Sequence, residues 1–212
     1  MKFKVIPDYY GINEKIFEKS YVNLKPGLTV LVGCNGAGKS TLLHQIESKC
    51  KQNGTLVITY DNCRDGGGYA VSKAGFFGDF DFLARQIQSS EGENISNNLA
   101  RFANKIGTTI KKNPKANKIT VLMDAIDSGM SVDNIIELKE NFFKFILAEN
   151  KDKEFYFIVS ANEYELARGE NCFDVTSCKY VNINSYKDYR NLIIETRKKK
   201  NKRYGWDKFN YK

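Results

Sequence analysis

The stretch GCNGAGKST, residues 33–41, constrains the fold of this 212-residue chain more than any other feature. It matches the pattern G-x-x-x-x-G-K-[ST] in full, follows the apolar run LTVLV, and precedes apolar residues at helical spacing. Glycines in such a loop let the backbone wind closely around phosphates, so that amide N–H groups and the N-terminus of the helix face them. The sequence therefore predicts a phosphate-binding loop between a buried strand and a helix.

The predicted cofactors of this loop are ATP and Mg²⁺. We expect Lys39 to reach the β- and γ-phosphates, and the Ser40 hydroxyl to bind the metal ion. The predicted nucleotide-binding residues of the loop are Gly33, Cys34, Asn35, Gly36, Ala37, Gly38, Lys39, Ser40 and Thr41.

A second stretch, VLMDAIDSGMS (residues 121–131), brings an apolar run to a carboxylate. Beside a phosphate-binding loop, the strand-terminal Asp124 is predicted to hold Mg²⁺, usually through water. In many ATPases the next residue is a glutamate that activates water, whereas this chain has Ala125. Ala125 therefore marks the place of a missing catalytic group.

These stretches resemble the head of ABC-type ATPases, especially the compact heads of the SMC, RecF and double-strand-break-repair branch and their phage and defence relatives. LKPGLTVLVGCNGAGKSTLL looks like the opening of such a head, and LMDAIDSGMS looks like LLDEPDSGLS of that branch. The resemblance spans roughly residues 22–166. It implies that residues 128–131 form the D-loop, which meets the opposite subunit, and that two chains form a homodimer with ATP at the interface.

Two further stretches resemble the family more loosely. SSEGENISNNL is similar to the signature motif, which binds the γ-phosphate held by the other protomer; Ser90, Gly92 and Glu93 match, although a polar helix start would look the same. FIVSANEYEL is similar to IIVSTHNPEL, with Asn162 in place of the switch histidine. Asparagine can donate a hydrogen bond but cannot take up a proton near neutral pH, so nucleotide sensing is expected to be weaker or built differently.

The sequence also contains candidates for two other family features. Tyr10 and Phe17 are candidates for the aromatic residue that stacks on adenine. Gln86 and Gln88 are candidates for the glutamine loop.

Ala125 leaves three interpretations open. In the first, which we favour, the natural protein has glutamate here and this chain carries an alanine substitution that traps ATP. In the second, the protein hydrolyses ATP slowly and uses it as a long-lived clamp. In the third, Asp127 or Glu163 supplies the missing carboxylate.

Continuous apolar strands that alternate with helical segments predict an α/β fold. We expect a P-loop NTPase with a mostly parallel central sheet, a small antiparallel N-terminal sheet and no coiled coil. Residues 1–196 are predicted to form a single ABC-type ATPase domain, followed by a basic, aromatic tail at 197–212. One helix is predicted to begin near residues 94–96 and to end at Gly107.

The net charge of +8 is concentrated in the predicted tail, which carries eight Lys or Arg against one Asp. Such a segment can bind DNA or RNA through phosphate contacts and base stacking, or it can be a solvated tail or dock on an acidic effector protein. The five cysteines form no C-x-x-C pair, and His44 has no second metal ligand nearby. The sequence lacks a signal peptide and a run long enough to span a bilayer, so we expect a cytoplasmic protein without membrane insertion.

The leading functional hypothesis is an ATP-gated dimer that engages nucleic acid or an effector protein. One alternative is the ATPase subunit of a membrane transporter, and another is a small-molecule phosphotransferase, since nucleoside kinases share the phosphate-binding loop. A GTPase fits less well because the chain has no N-K-x-D segment.

Overall fold

A six-stranded sheet with helices on both faces organises the computed structural model, which describes residues 1–7, 15–62 and 91–205. The strands are β1 (Lys2–Lys4), β2 (Tyr21–Asn23), β3 (Gly27–Val32), β4 (Leu56–Asp61), β5 (Lys118–Asp124), β6 (Glu154–Ser160), β7 (Asn171–Asp174) and β8 (Lys179–Val181). The helices are α1 (Lys39–Gln52), α2 (Glu91–Lys112), α3 (Val132–Glu137), α4 (Lys144–Glu149), α5 (Tyr164–Ala167) and α6 (Tyr186–Arg203). A π-helical segment, Leu138–Phe143, joins α3 to α4.

The sheet has the strand order β4-β5-β6-β3-β7-β8. All its neighbouring pairs are parallel except β7 and β8, which are antiparallel. β1 and β2 form a separate antiparallel pair near the N-terminus. The predicted α/β architecture, with a mostly parallel sheet and a small antiparallel N-terminal sheet, is confirmed.

The two faces of the sheet are covered by separate apolar clusters. One face packs against α1 and the β1–β2 pair, with Leu42 and Ile46 of α1 fully buried. The other face packs against α2 and the α3–α4 segment, where Phe143 meets Phe157 with ring centroids 4.9 Å apart. Because both faces are covered, β5 and β6 consist of nearly continuous buried residues, as the sequence predicted.

Helix α2 is longer than the sequence predicted. It begins at Glu91 rather than near residues 94–96, and it continues past Gly107 to Lys112. A glycine inside a helix costs about 1 kcal/mol relative to alanine. Phe102 and Ile106 are buried against the sheet and Ile110 packs beside them, so burial of this apolar stripe outweighs the glycine.

The C-terminal helix extends into the predicted tail. α6 ends at Arg203, so residues 197–203 form its last two turns. Residues 206–212 lie outside the described residues. In the described part of the chain, no helix is both long and apolar enough to cross a membrane.

Candidate functional site

The loop of residues 33–38 joins the end of β3 to the start of α1. Gly36 and Gly38 have φ angles of 75° and 106°, in the left-handed region that favours glycine. A Cβ atom at Gly36 would lie 2.6 Å from Lys200 Nζ, and one at Gly38 would lie 2.6 Å from Ile16 Cγ2. The backbone conformation therefore favours glycine at both positions. Close packing adds to this requirement only at Gly38, because the Lys200 side chain beside Gly36 is flexible and can move away.

Lys39 is the first residue of α1, and its side chain is buried beneath the loop. Its Nζ donates a hydrogen bond to the carbonyl oxygen of Gly33 at 2.9 Å. Burial lowers the pKa of Lys39, while negative charges nearby, including the carboxylates of Asp127 and Asp124, act in the opposite direction. The ammonium group is thus held at the loop. A bound anion there would accept its remaining hydrogen bonds and stabilise its positive charge.

A cleft of about 380 Å³ lies over the loop, at the carboxyl ends of β3, β5 and β6. Its lining residues come from distant parts of the chain: Ile16, Asn35, Gly36, Gly38, Lys39, Ser40, Thr41, Asp124, Ala125, Ser160, Asn162 and Tyr204. Crevices at the carboxyl ends of parallel strands, where the strand order reverses, are the usual ligand sites of open α/β sheets. The structure therefore brings most of the predicted site residues to one ligand-sized cleft.

Three residues of the predicted loop do not line the cleft. Gly33, Cys34 and Ala37 are buried beneath it. The Cys34 amide N–H donates to Thr196 Oγ1 at 3.0 Å, and the Ala37 amide N–H donates to the carbonyl oxygen of Cys34 at 3.0 Å. These residues support the loop from below.

Ser160, which sequence reasoning missed, orders the end of β5. Its hydroxyl donates to Asp124 Oδ1 at 2.5 Å and accepts from the Ala125 amide N–H at 2.7 Å. The signal in the sequence is a serine that follows the apolar run FYFIV. Ser160 fixes the carboxylate of Asp124 relative to the backbone that follows it.

Ala125 adopts a φ angle of 51°, one of two positive values among the described non-glycine residues. Its carbonyl oxygen accepts a hydrogen bond from the Ser128 amide at 3.2 Å, which closes a turn after β5. The left-handed conformation costs an L-residue about 1–2 kcal/mol. The strain lies at the position of the expected glutamate, next to Asp124.

Neither of the two alternative carboxylates, Asp127 and Glu163, lines the cleft. Its side chain is 1% exposed, and Oδ2 accepts from the amides of Asn162 and Glu163 at 2.6 and 2.7 Å. Glu163 is exposed and does not line the cleft. Asp127 instead ties the loop after β5 to the start of α5, so the interpretation in which either carboxylate replaces the glutamate does not fit this geometry.

Asn162 lies at the rim of the cleft, where the resemblance implies a switch residue. Its Nδ2 lies 3.5 Å from Asp127 Oδ1 and 3.4 Å from Ser128 Oγ. The Tyr189 hydroxyl of α6 donates to the Asn162 carbonyl oxygen at 2.8 Å. Asn162 therefore connects the turn after β5 with α6.

Several other candidate site residues lie outside the described residues, and one is too deeply buried to contact a ligand. Ser90, Tyr10, Gln86 and Gln88 lie outside the described residues. Gly92 and Glu93 lie in the first turn of α2. Phe17 is fully buried and does not line the cleft, whereas its neighbour Ile16 does, so Phe17 cannot stack on a nucleotide base there and that candidate is wrong.

The residues of the cleft fit a magnesium ion only together with a ligand. Among the described residues, no group of three or more His, Cys, Asp or Glu could hold a metal ion. Ser40 and Asp124 nevertheless line the same cleft. Mg²⁺ is commonly bound by one or two protein oxygens plus phosphates and water, and this donor set is consistent with that pattern.

Comparison of the chain with models of known protein families and with curated proteins found no match.

Proposed function

We propose that the chain binds ATP with Mg²⁺ in the cleft over residues 33–41. The observation that carries this proposal is that Lys39, Ser40 and Asp124 line one cleft although they come from two separate strand ends. A complete phosphate-binding motif on its own supports a phosphate ligand. Asp124 ends β5, which is separated from β3 by one strand, and its carboxylate adds a ligand for a metal ion. A nucleoside triphosphate with Mg²⁺ satisfies both.

In the proposed complex, each cleft residue has one task. Lys39 binds the β- and γ-phosphates, and the loop amides with the N-terminus of α1 neutralise the remaining charge. Ser40 binds Mg²⁺ directly, and Asp124, oriented by Ser160, binds it through water. Ala125 offers no group that can accept a proton, so ATP binding is retained while hydrolysis is slow.

We further propose that the chain works as an ABC- or SMC-like ATPase that dimerises around ATP. Ser128 and Gly129, in the proposed D-loop, are exposed beside the cleft. The carbonyl oxygen of Ser128 accepts a hydrogen bond from Asn62 Nδ2, so this turn is anchored while its outer face stays accessible. Dimerisation would then control engagement of DNA, RNA or an effector protein, with the basic residues after 196 as one candidate contact surface.

Equilibrium binding of ATP–Mg²⁺ by titration calorimetry tests the binding proposal. Lys39→Ala removes a charge-assisted contact worth about 1.5–3 kcal/mol, so affinity is expected to fall roughly 10- to 150-fold. Lys51→Ala is the matched control, because Lys51 lies on the same helix but is exposed and pairs with Glu47. Equal affinities of the two variants, or no binding by the unmodified chain, would contradict the proposal.

A further inference from the structure

Helix α6 presents three residues to the loop and cleft at intervals of four. Thr196, Lys200 and Tyr204 follow one another along a single face of the helix and its C-terminal cap. Thr196 Oγ1 accepts from the Cys34 amide, Lys200 Nζ donates to the Asn35 carbonyl oxygen at 3.0 Å, and Tyr204 lines the cleft. The end of α6 is thus part of the cleft wall.

The same turn of α6 is held against the segment before β2. An Nη2 hydrogen of Arg203 is donated to the Ile16 carbonyl oxygen at 2.8 Å, and Lys199 pairs with Glu18 at 2.8 Å. Ile16 also lines the cleft, and its side chain packs where a Gly38 Cβ would lie. The contacts of Arg203 and Lys199 therefore hold the end of α6, which carries Tyr204, beside Ile16.

These two residues lie on the opposite side of β3 from the proposed metal site. The Glu18 amide, two residues after Ile16, donates to the Thr176 carbonyl oxygen just beyond β7. Asp124 and Ser160 end β5 and β6, which lie on the other side of β3 in the strand order. A triphosphate laid along the loop with its γ-phosphate towards Asp124 would point its other end towards Ile16 and Tyr204.

We propose that Tyr204 and Ile16 form the subsite for the nucleotide base, with Tyr204 as the stacking residue. An aromatic face and a branched aliphatic side chain suit a flat heteroaromatic ring, while the phosphates require the polar part of the cleft. The inference rests on the proposed function, since it assigns the base end of the same ligand. It also assigns base binding to the C-terminal helix rather than to the N-terminal candidates Tyr10 and Phe17.

The test compares ATP with inorganic tripolyphosphate, both with Mg²⁺, for the unmodified chain and for Tyr204→Phe, Tyr204→Leu and Tyr204→Ala. Loss of base stacking corresponds to a decrease in ATP affinity of about 5- to 150-fold. Tyr204→Leu and Tyr204→Ala are expected to show this decrease, whereas Tyr204→Phe keeps the ring and retains affinity. Tripolyphosphate has no base, so its affinity is expected to be the same in all four proteins. Thermal unfolding without ligand identifies a variant that fails to fold. If Tyr204→Ala fails to fold, Tyr204→Leu still tests the loss of the ring, because leucine retains apolar volume at this position.

The measured affinities separate a failure of the base subsite from a failure of the proposed ATP binding. If Tyr204→Leu lowers the affinities for ATP and tripolyphosphate equally, Tyr204 supports the loop and the base subsite is overturned, while the binding function stands. If Tyr204→Leu binds ATP as tightly as Tyr204→Phe does, the base subsite is likewise overturned. Binding of neither ligand by the unmodified chain overturns the proposed function, and the base subsite with it.

Discussion

At the scale of single residues, the turn after β5 combines a strained alanine with a buried carboxylate. Ala125 keeps its left-handed conformation while its amide is held by Ser160 and its carbonyl oxygen by Ser128. Asp127 anchors the same turn to α5 through two backbone amides. These contacts fix the backbone beside Asp124 without requiring any particular side chain at position 125.

Ala125→Glu is expected to increase ATP hydrolysis by about 10²- to 10⁴-fold, the usual contribution of a positioned general base. Alanine and glutamate both carry a Cβ atom, so the left-handed conformation costs both a similar amount and the turn is expected to persist. Phosphate release under saturating ATP–Mg²⁺ measures the effect. Ala125→Gln is the control, since glutamine has the same size but cannot accept the proton. If Ala125→Glu is no faster than Ala125→Gln, the interpretation that this chain lacks only its catalytic glutamate is wrong.

Asp127 gives stability a specific dependence on pH. Burial raises the pKa of this carboxyl above its usual value, against the opposing effect of the Glu163 and Asn162 amides. As pH falls through the raised pKa, the folded protein binds a proton that the unfolded chain does not yet bind, so the contribution of Asp127 to stability increases.

Urea unfolding of the unmodified chain and of Asp127→Asn between about pH 7 and 4 tests this dependence, because asparagine does not titrate. The free energy of unfolding of the unmodified chain, minus that of Asp127→Asn, is expected to increase as pH falls. Asp152→Asn, at an exposed turn, controls for the loss of one negative charge. A difference that stays constant or decreases towards low pH would show that Asp127 is not the group responsible.

At the scale of elements, α6 joins the loop of residues 33–38 to the rest of the molecule. Thr196 is buried, and its hydroxyl accepts from the Cys34 amide and donates to the carbonyl oxygen of Leu192 at 2.9 Å. Thr196→Val keeps the shape of the side chain but leaves the Cys34 amide without a partner. Its free energy of unfolding is expected to fall by about 1–3 kcal/mol, and ATP–Mg²⁺ binding is expected to weaken.

Urea unfolding of Thr196→Val beside Thr196→Ser measures this contribution, since serine retains the hydroxyl group. Equal stability of the two variants would mean that the bond between α6 and the loop contributes nothing measurable.

Elements that local sequence patterns specify were predicted correctly, whereas features that depend on tertiary packing were not. The loop at 33–41 and the strand ending at Asp124 were predicted because spacing and apolar runs specify them directly. The end of α2 was predicted wrongly, because the penalty for Gly107 is local whereas the compensating burial of Phe102 and Ile106 is tertiary. Ser160 and Tyr204 were missed as cleft residues, because only the strand order and the packing of α6 bring them to the loop.

At the scale of the whole molecule, one edge of the sheet collects the groups on which the proposed function depends. The carboxyl ends of β3, β5 and β6 bring the loop of residues 33–38, Asp124 and Ser160 to one cleft. Ser128 and Gly129 extend the same edge outward as an exposed turn. Such an edge can bind a nucleotide alone, or it can bind one together with a second copy of the chain.

The mass of the protein in solution, measured by sedimentation velocity with and without ATP–Mg²⁺, is the most direct test of the proposed ATP-gated dimer. Slow hydrolysis at Ala125 should let the ATP-bound form persist through the measurement. A monomer is expected without nucleotide and a dimer with ATP–Mg²⁺. Lys39→Ala is expected to remain a monomer at an ATP–Mg²⁺ concentration that saturates the unmodified chain but not this variant. A monomer that binds ATP–Mg²⁺ without changing its mass would contradict the proposed ATP-gated dimer.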